Sequence, residues 1–596
     1  YDRWGHLAQV NDALGRHARY RHDVLGRLLE ADLPDGAHRR WEWNAAGLPV
    51  THIDALRHVT RYEWTRHGRL AASIDAQGHT VRCRYDTEGN LIELTAPNRQ
   101  AYCFEYDAAQ RRVAQVGLDG KRTEYELDAM GLPVEVRQAA GTPWQIAQQL
   151  ERNVLGRVTV KRTPETVTQI AWDRASRPLK IERRTARDHT LLDSIEYEYA
   201  PQGNVCKETS HAWLAVPGMP GTITHTTEIA HRYDELGNRI ATVLPDGRTL
   251  HRLYYGSGHL HHIRLDEETV CDIGRDDTHR EIRRSQGALA TASHYDAAGR
   301  KALHWTQRQT HWQPPVDAAA GWETLPDATI GKGFRFDANG ELTARKDALS
   351  GEIAYEYDAL GRIAQARAAG GASARSLTRL NEIFAYDAAS NLLDTHRRGG
   401  RVEHNRVVVH EEKRYEYDAH CRLTRKRIVS HTELRFEYDC EHRLIASFKR
   451  RNGVAEQSVQ YRYDALGRRI AKHDRFGTTH FVWDDMQLLQ EKRRHACATF
   501  VYEDGGYEPL ARLDSVDKQV DWTPVRPERV LYFHNHVNGA PEELTDAQGK
   551  VVWRARYAVW GNLALEEYGW EEEPDRAGLG TGVLPQNVRM QGQYAD

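Results

Sequence analysis

Polar and apolar positions alternate along most of this chain. In 79–85, His79, Val81, Cys83 and Tyr85 share one parity, while Thr80, Arg82 and Arg84 take the other. Tyr102, Phe104 and Tyr106 repeat the pattern, as do Leu434, Phe436 and Tyr438 against Arg435 and Glu437. Period-two alternation rich in aromatic and β-branched residues predicts strands, here of about 6–7 residues. The strands end in a recurring signal. Tyr-Asp occurs ten times, at Tyr1, Tyr85, Tyr106, Tyr233, Tyr295, Tyr357, Tyr386, Tyr417, Tyr438 and Tyr463. Weaker copies begin at His22, Trp43, Trp64, Leu127, Trp172, Tyr254, Phe336 and Trp483.

The first seven copies start at 1, 22, 43, 64, 85, 106 and 127, a spacing of 21 residues. Four positions on stands glycine (Gly5, Gly26, Gly47, Gly68, Gly89, Gly131), with Gln110 the exception. The aspartate is turn chemistry, because its carboxylate accepts hydrogen bonds from backbone N–H groups just ahead, and the glycine supplies a positive φ. A second turn falls half a period away, at Gly15, Gly36, Gly78 and Gly120. Each repeat is therefore a β-hairpin and the chain a meander; a fixed period of this length outranks any local reading.

Carried over all 596 residues, the rule gives an upper bound of about 28 repeats and about 56 strands, a ribbon of roughly 270 Å at ~4.8 Å per strand. Open twisted sheets rarely exceed ~10 strands without curling. The predicted fold is all-β: tandem hairpins wound into a spiral, hollow β-shell. Charged residues take the parity opposite the tyrosines and mean hydropathy is −0.72. That points to a single layer wetted on both faces, braced by aromatic ladders from repeat to repeat.

Composition narrows the function. With 82 basic and 85 acidic residues the net charge is −3, which leaves no electrostatic footprint for nucleic acid. No apolar run approaches the ~18 residues of a membrane span. The seven cysteines form no CxxC pair and read as small strand residues. The chain opens in mid-repeat, so residues before Tyr1 are expected and the lack of a leader carries no weight.

Residues 1–135 hold the cleanest repeats; 136–345 are irregular, with insertions expected near 208–228 and 303–333; 346–529 continue the shell. The spacings around Tyr386 and Tyr417 predict longer hairpins with tips near Gly399-Gly400. Residues 530–562 read as two strands joined through the Asp546–Gly549 turn and followed by a turn at Gly561-Asn562. An acidic loop (Glu566, Glu567, Glu571, Glu572, Glu573, Asp575) leads to the end of 563–596.

These residues resemble an Rhs protein, of the wider YD-repeat class that includes teneurin shells and the C components of insecticidal toxin complexes. The repeat-turn residues that carry it are Tyr85, Asp86 and Gly89; Tyr357, Asp358, Gly361 and Arg362; Tyr463, Asp464, Gly467 and Arg468. More specific is 532–562, with Asp546, Gly549, Trp553, Tyr557 and Gly561, similar to the segment that marks bacterial Rhs proteins. Asn587 to Tyr594, including Gln591, Gly592 and Tyr594, resembles the opening of the family's core-associated region. The resemblance implies a non-enzymatic cocoon around a variable C-terminal toxin domain. It implies synthesis in the cytoplasm and delivery to competitor cells by a type VI secretion machine. The expected partners are the enclosed toxin, its immunity protein, and a spike and chaperone reached through an N-terminal module. The family's aspartate-based self-cleavage site and the toxin are expected beyond Asp596.

Other chemistry is weaker. His534-Asn535-His536 spells a nuclease-like triplet, but nuclease ligands need a spread hairpin-and-helix frame. His259, His261 and His262 lack a paired second cluster. Trp305, Trp312 and Trp322 suit a brace better than a sugar platform. No catalytic residue, cofactor site or metal site is therefore assigned. The alternative function is an extracellular adhesion or glycan-binding module.

Overall fold

In the computed structural model the chain is antiparallel β throughout, with fifty strands and one 3-10 turn, Gln309–His311, among the described residues. These are 1–214, 222–311, 328–348, 351–369, 381–394, 401–429, 431–516, 529–569, 584–590 and 593–595. Successive strands pair in two ladders of 32 and 16 strands, with a two-stranded piece at Ala385–Tyr386 and Leu392–Leu393 between them. At eight of the ten Tyr-Asp pairs the strand ends in a register shift just before the tyrosine, as at Arg84/Tyr85, Glu356/Tyr357 and Arg462/Tyr463; the short Tyr386 strand does not. The bulge frees the tyrosine to reach back over its neighbour. Tyr85 Oη donates to the Leu70 carbonyl at 3.0 Å and Tyr106 Oη to that of Leu91 at 3.0 Å.

The ribbon comes back against itself. Asn339 Nδ2 donates to Asp54 Oδ2 (2.6 Å), Arg362 Nη2 to Gln77 Oε1 (3.0 Å), and Cys421 Sγ to Asp119 Oδ2 (2.6 Å). Later, Lys161 meets Glu441, Arg468 meets Glu208 (2.7 Å), and Arg239 meets Asp484 (2.6 Å). From Gln138–His442 onward the separation in sequence across these contacts falls from 304 to 245 at Arg239–Asp484 and 177 at Glu382–Val559. A shrinking offset means a second winding that tightens. Asp54 and Asn339 lie twenty-three described strands apart, a circuit of about 110 Å at ~4.8 Å per strand. The accessible surface is 31964 Å² for 68.2 kDa, about half as large again as the ~21,000 Å² of a compact monomer of that mass.

The expectation of two wet faces holds for residues 1–138, where the buried hydrophobics before Ala139 are Ala31, Ala37, Ala72 and Ala114. It fails further on. Leu250, Ile263, Leu265 and Ile273 of the first winding pack on Val482, Leu489, Val501, Leu513 and Tyr532 of the second. The opposite face of those same second-winding strands carries Phe481, Phe500, Phe533, Leu544 and Trp553, covered by Leu584 and Val588. Continuous apolar runs such as Leu531-Tyr532-Phe533 mark strands buried on both faces; a whole-chain hydropathy average conceals them.

Three local expectations also change. Segment 208–228 is largely a long hairpin, strands Val205–Leu214 and Thr222–Tyr233, because its β-branched threonines favour strand over loop; its tip lies outside the described residues. An extra hairpin, Arg401–Glu403 with Arg406–His410, turns at His404-Asn405, both at positive φ, while Gly399-Gly400 lie outside the described residues. Segment 530–562 holds a third strand, Arg529–Asn535, paired with Pro541–Asp546 through a turn at Asn538-Gly539. Trp312, Trp322 and the acidic residues 571–575 lie outside the described residues, as do Gln591 and Gly592.

Candidate functional site

The repeat turns are structural units. Asp358 Oδ1 accepts from the Leu360 and Arg362 amides at 2.9 and 3.1 Å, and Arg362 Nε donates to Oδ2 at 2.7 Å. Burial acts to raise this carboxyl, but those bonds win and hold it below the ordinary aspartate range. Arg362 then lies over the Tyr386 ring at 4.6 Å, linking one hairpin to the next. Gly361 sits at φ +73, where a side chain would be strained. Asp464 binds Arg468 in the same way, Nε to Oδ2 at 2.6 Å, and Arg468 Nη2 continues to Glu208 of the first winding. Asp86 uses Asn90 instead, at 2.8 Å to the amide and 3.0 Å to the side chain. With both oxygens committed, these aspartates hold turns rather than do acid–base work.

The 530–562 segment builds a buried ionic network across the windings. Lys332, fully buried, lies 2.7 Å from Glu542 and 2.6 Å from Glu543, one circuit further along the ribbon. Arg345 reaches Glu542 at 2.7 Å; Arg556 spans Asp347 and Glu543, both at 3.3 Å. Three cations face three carboxylates. Burial alone would raise the Glu542 and Asp347 carboxyls; the neighbouring cations more than reverse it and hold both low. At the next turn, Asp546 Oδ1 accepts from the Gln548 and Lys550 amides, and Gly549 sits at φ +83 with Leu289 of the first winding against it. The Ala288 amide donates to the Ala547 carbonyl at 2.8 Å. Tyr557 Oη donates to the Pro541 carbonyl at 2.8 Å, while Gly561, at φ +80, turns in open space.

On the face away from the first winding, the same strands hold the chain's last described segment. Arg512, fully buried, donates to the Leu584 carbonyl (2.6 Å), the Pro585 carbonyl (3.0 Å) and Gln586 Oε1 (3.2 Å). Glu491 accepts from Tyr594 Oη at 2.5 Å and Asn587 Nδ2 at 3.2 Å. Burial pushes the Glu491 carboxyl up, opposed by Tyr594 and Arg512. Tyr594 stands edge-on to Phe481, and Arg589 lies over Trp553, whose Nε1 donates to Glu566 at 3.1 Å. This arrangement clamps the chain's own last described segment. It brings together Trp553 and Tyr594, both marked in the sequence. Arg512, Glu491 and Lys332 were missed; their one signal is a charged residue set inside an apolar strand, as in Leu510-Ala511-Arg512-Leu513.

The alternative chemistries do not assemble. His534 is buried between Thr545 (2.9 Å) and Thr306 (3.4 Å), and burial pushes its imidazole down to about 3. His259 stacks on His279 at 3.6 Å, while His262 turns to Asp272 at 2.6 Å. Among the described residues no group of three or more ligating side chains could hold a metal. Trp305 is fully buried and stacked on His294, so it offers no ring face to a sugar. All seven cysteines are free.

Comparison with known proteins agrees with this architecture. The teneurin YD-shell family model matches residues 334–567, and the RHS repeat model matches 1–38 and 43–80. Double-stranded DNA deaminase toxin A of Burkholderia cenocepacia is 34% identical over the whole of this chain and 41% of its own length. Toxin protein Tse5 of Pseudomonas aeruginosa is 27% identical over 67% of this chain and 32% of its own. The chain thus spans less than half the length of these curated relatives. The crystal structure of TcdB2-TccC3-TEV superposes with a TM-score of 0.63 at 13% identity, over 98% of this chain and 32% of that one, a likeness of fold alone. The 21-residue Tyr-Asp hairpin, the two-winding shell and these relatives place the chain in the Rhs family of YD-repeat proteins.

Proposed function

We propose that this chain is the wall of a capsule that sequesters a toxin domain encoded further along the same gene product. The observation that carries the reading is the ribbon that closes two windings while exposing about half as much surface again as a compact protein. The clamp adds direction: Arg512 and Glu491 hold Leu584 to Asn587 and Tyr594 on the face turned away from the first winding, so a domain encoded further along would start from that face. The relatives named as toxins supply the class of cargo. Under this reading the chain has no turnover of its own. The gene product is folded in the producing cell, loaded on a type VI secretion spike with the help of a chaperone, and delivered to competitors, with an immunity protein guarding the producer. Denaturing mass spectrometry of the natively purified gene product tests it. Two co-purifying polypeptides, one ending soon after this region and one small and C-terminal, are expected; a single chain with no further domain would overturn the capsule reading.

A further inference from the structure

One feature of the sequence has no part in the turns, the network or the clamp. Two residues before each Tyr-Asp position, the 21-residue register carries Tyr20, Trp41, Tyr62, Cys83, Phe104 and Tyr125, five of the six aromatic. The rings at the Tyr-Asp position itself are committed to the backbone: Trp43 Nε1 donates to the Leu28 carbonyl at 2.8 Å, Trp64 Nε1 to that of Pro49 at 2.7 Å, and Tyr85 and Tyr106 act likewise. The inner row is different. Tyr20, Tyr62 and Tyr125 hydroxyls and the Trp41 indole N–H have no hydrogen-bond partner among the described residues; the rings are half-buried, with Trp41 stacked on His52 at 5.1 Å and Arg112 over Tyr125 at 5.4 Å.

Register places the row on one continuous face: Tyr20 opposite Ala31, Trp41 opposite His52, Tyr62 opposite Ser73, Phe104 opposite Gln115, Tyr125 opposite Val136. Followed along the ladder, that face leads through Gln148 and Leu150 to Lys161 and Arg183. There the second winding covers it, with Lys161 on Glu441 and Arg183 on the Tyr463 carbonyl. The aromatic row is thus the uncovered continuation of an established interface.

We propose that this row is a docking surface for a proline-rich polypeptide segment in the polyproline-II conformation. Alternate strands lie about 9.6 Å apart, and polyproline II repeats every three residues, about 9.3 Å. An extended β peptide repeats its side chains every ~6.7 Å and falls out of step. A segment running along the ribbon sets one residue of each triplet between successive rings, and offers the unhydrogen-bonded carbonyls of that conformation to the free indole N–H and phenol donors. Rings with such donors are the chemistry that recognises this backbone. The inference does not rest on the toxin-capsule reading.

The test is isothermal titration of the full gene product with a capped nine-proline peptide, a Gly/Ser peptide of equal length, and a soluble β-glucan oligosaccharide. The oligoproline binds and the other two do not. The triple variant Trp41→Phe, Tyr62→Phe, Tyr125→Phe, which keeps ring faces and removes donors, weakens binding, and Trp41→Ala with Tyr62→Ala weakens it by about tenfold or more. Trp144→Ala, an exposed tryptophan off the row, leaves it unchanged, and far-ultraviolet circular dichroism confirms each fold. Binding of the glucan in place of oligoproline, absence of oligoproline binding, or equal affinity in the folded ring variants would overturn the proposal.

Discussion

Substituting Lys332 by methionine should loosen the second winding around residues 541–557. The ammonium is fully buried, with Glu542 and Glu543 at 2.7 and 2.6 Å. Methionine matches its length and leaves little cavity, so the effect is electrostatic. Three cations and three carboxylates become two and three, and one buried carboxylate loses its counter-charge. Removing one partner of a buried pair costs about 3–5 kcal/mol. At 1.36 kcal/mol per decade that is a local opening constant raised by about two to four orders of magnitude. Because a chain of this size opens in parts, native-state hydrogen exchange is the suitable assay. Protection of the Leu544 and Trp553 amides should fall by that factor, while the strand Val59–Trp64 in the first winding should not change. The double variant Lys332→Met, Glu543→Gln removes one charge of each sign and should recover most of the loss. Unchanged protection in the single variant, or a double variant no better than the single, would refute the network as an internal lock.

Three further outcomes follow from the geometry. Gly287→Ala places a Cβ 2.6 Å from the Ala547 carbonyl oxygen and 2.8 Å from its Cα, at φ +58; backbone on both sides cannot yield, so thermal unfolding should shift down by several degrees, and an unchanged midpoint would deny that these turns touch. Gln110 holds the glycine position of its repeat at φ +62, so Gln110→Gly relieves about 1 kcal/mol of left-handed strain, less what glycine adds to unfolded-chain entropy. A small rise in denaturant midpoint is expected, and a fall would contradict the turn assignment. Glu491 has its folded pKa raised, so the stability it gives is present below the ordinary glutamate range and is lost as pH rises through the raised value. Protection of the Arg589 amide, which donates to the Gln593 carbonyl, corrected for intrinsic rates, should therefore drop as pH rises above the ordinary glutamate range, and Glu491→Gln should flatten that slope.

The hairpin and its turns were readable because their chemistry is local. Asp86, Gly89 and Tyr85 act within one repeat or on the strand beside it, so a 21-residue period reports them directly. The exception at Gln110 was readable too, and the backbone keeps its positive φ there. What the windings do to each other was not. Lys332 meets Glu542 and Glu543 across about two hundred residues, and no period in the sequence encodes which strands come to lie face to face. The average hydropathy hid the dry layer because the wet repeats of 1–138 dilute it; the run Val530-Leu531-Tyr532-Phe533 was the local clue. The extra turn at Asn538-Gly539 was also legible, since Asn-Gly between apolar runs is a hairpin signal. Trp553 and Tyr594 were marked by resemblance, and their common purpose, closing the clamp with Arg512 and Glu491, came only with the fold.

The central claim is that the ribbon encloses space. Small-angle X-ray scattering of the intact, monodisperse protein tests it most directly. A two-winding shell predicts a radius of gyration clearly above the ~25 Å of a compact 596-residue chain, with a pair-distance distribution weighted toward long vectors and a secondary maximum in the scattering curve. A curve that fits a solid globule of the same mass would contradict the account.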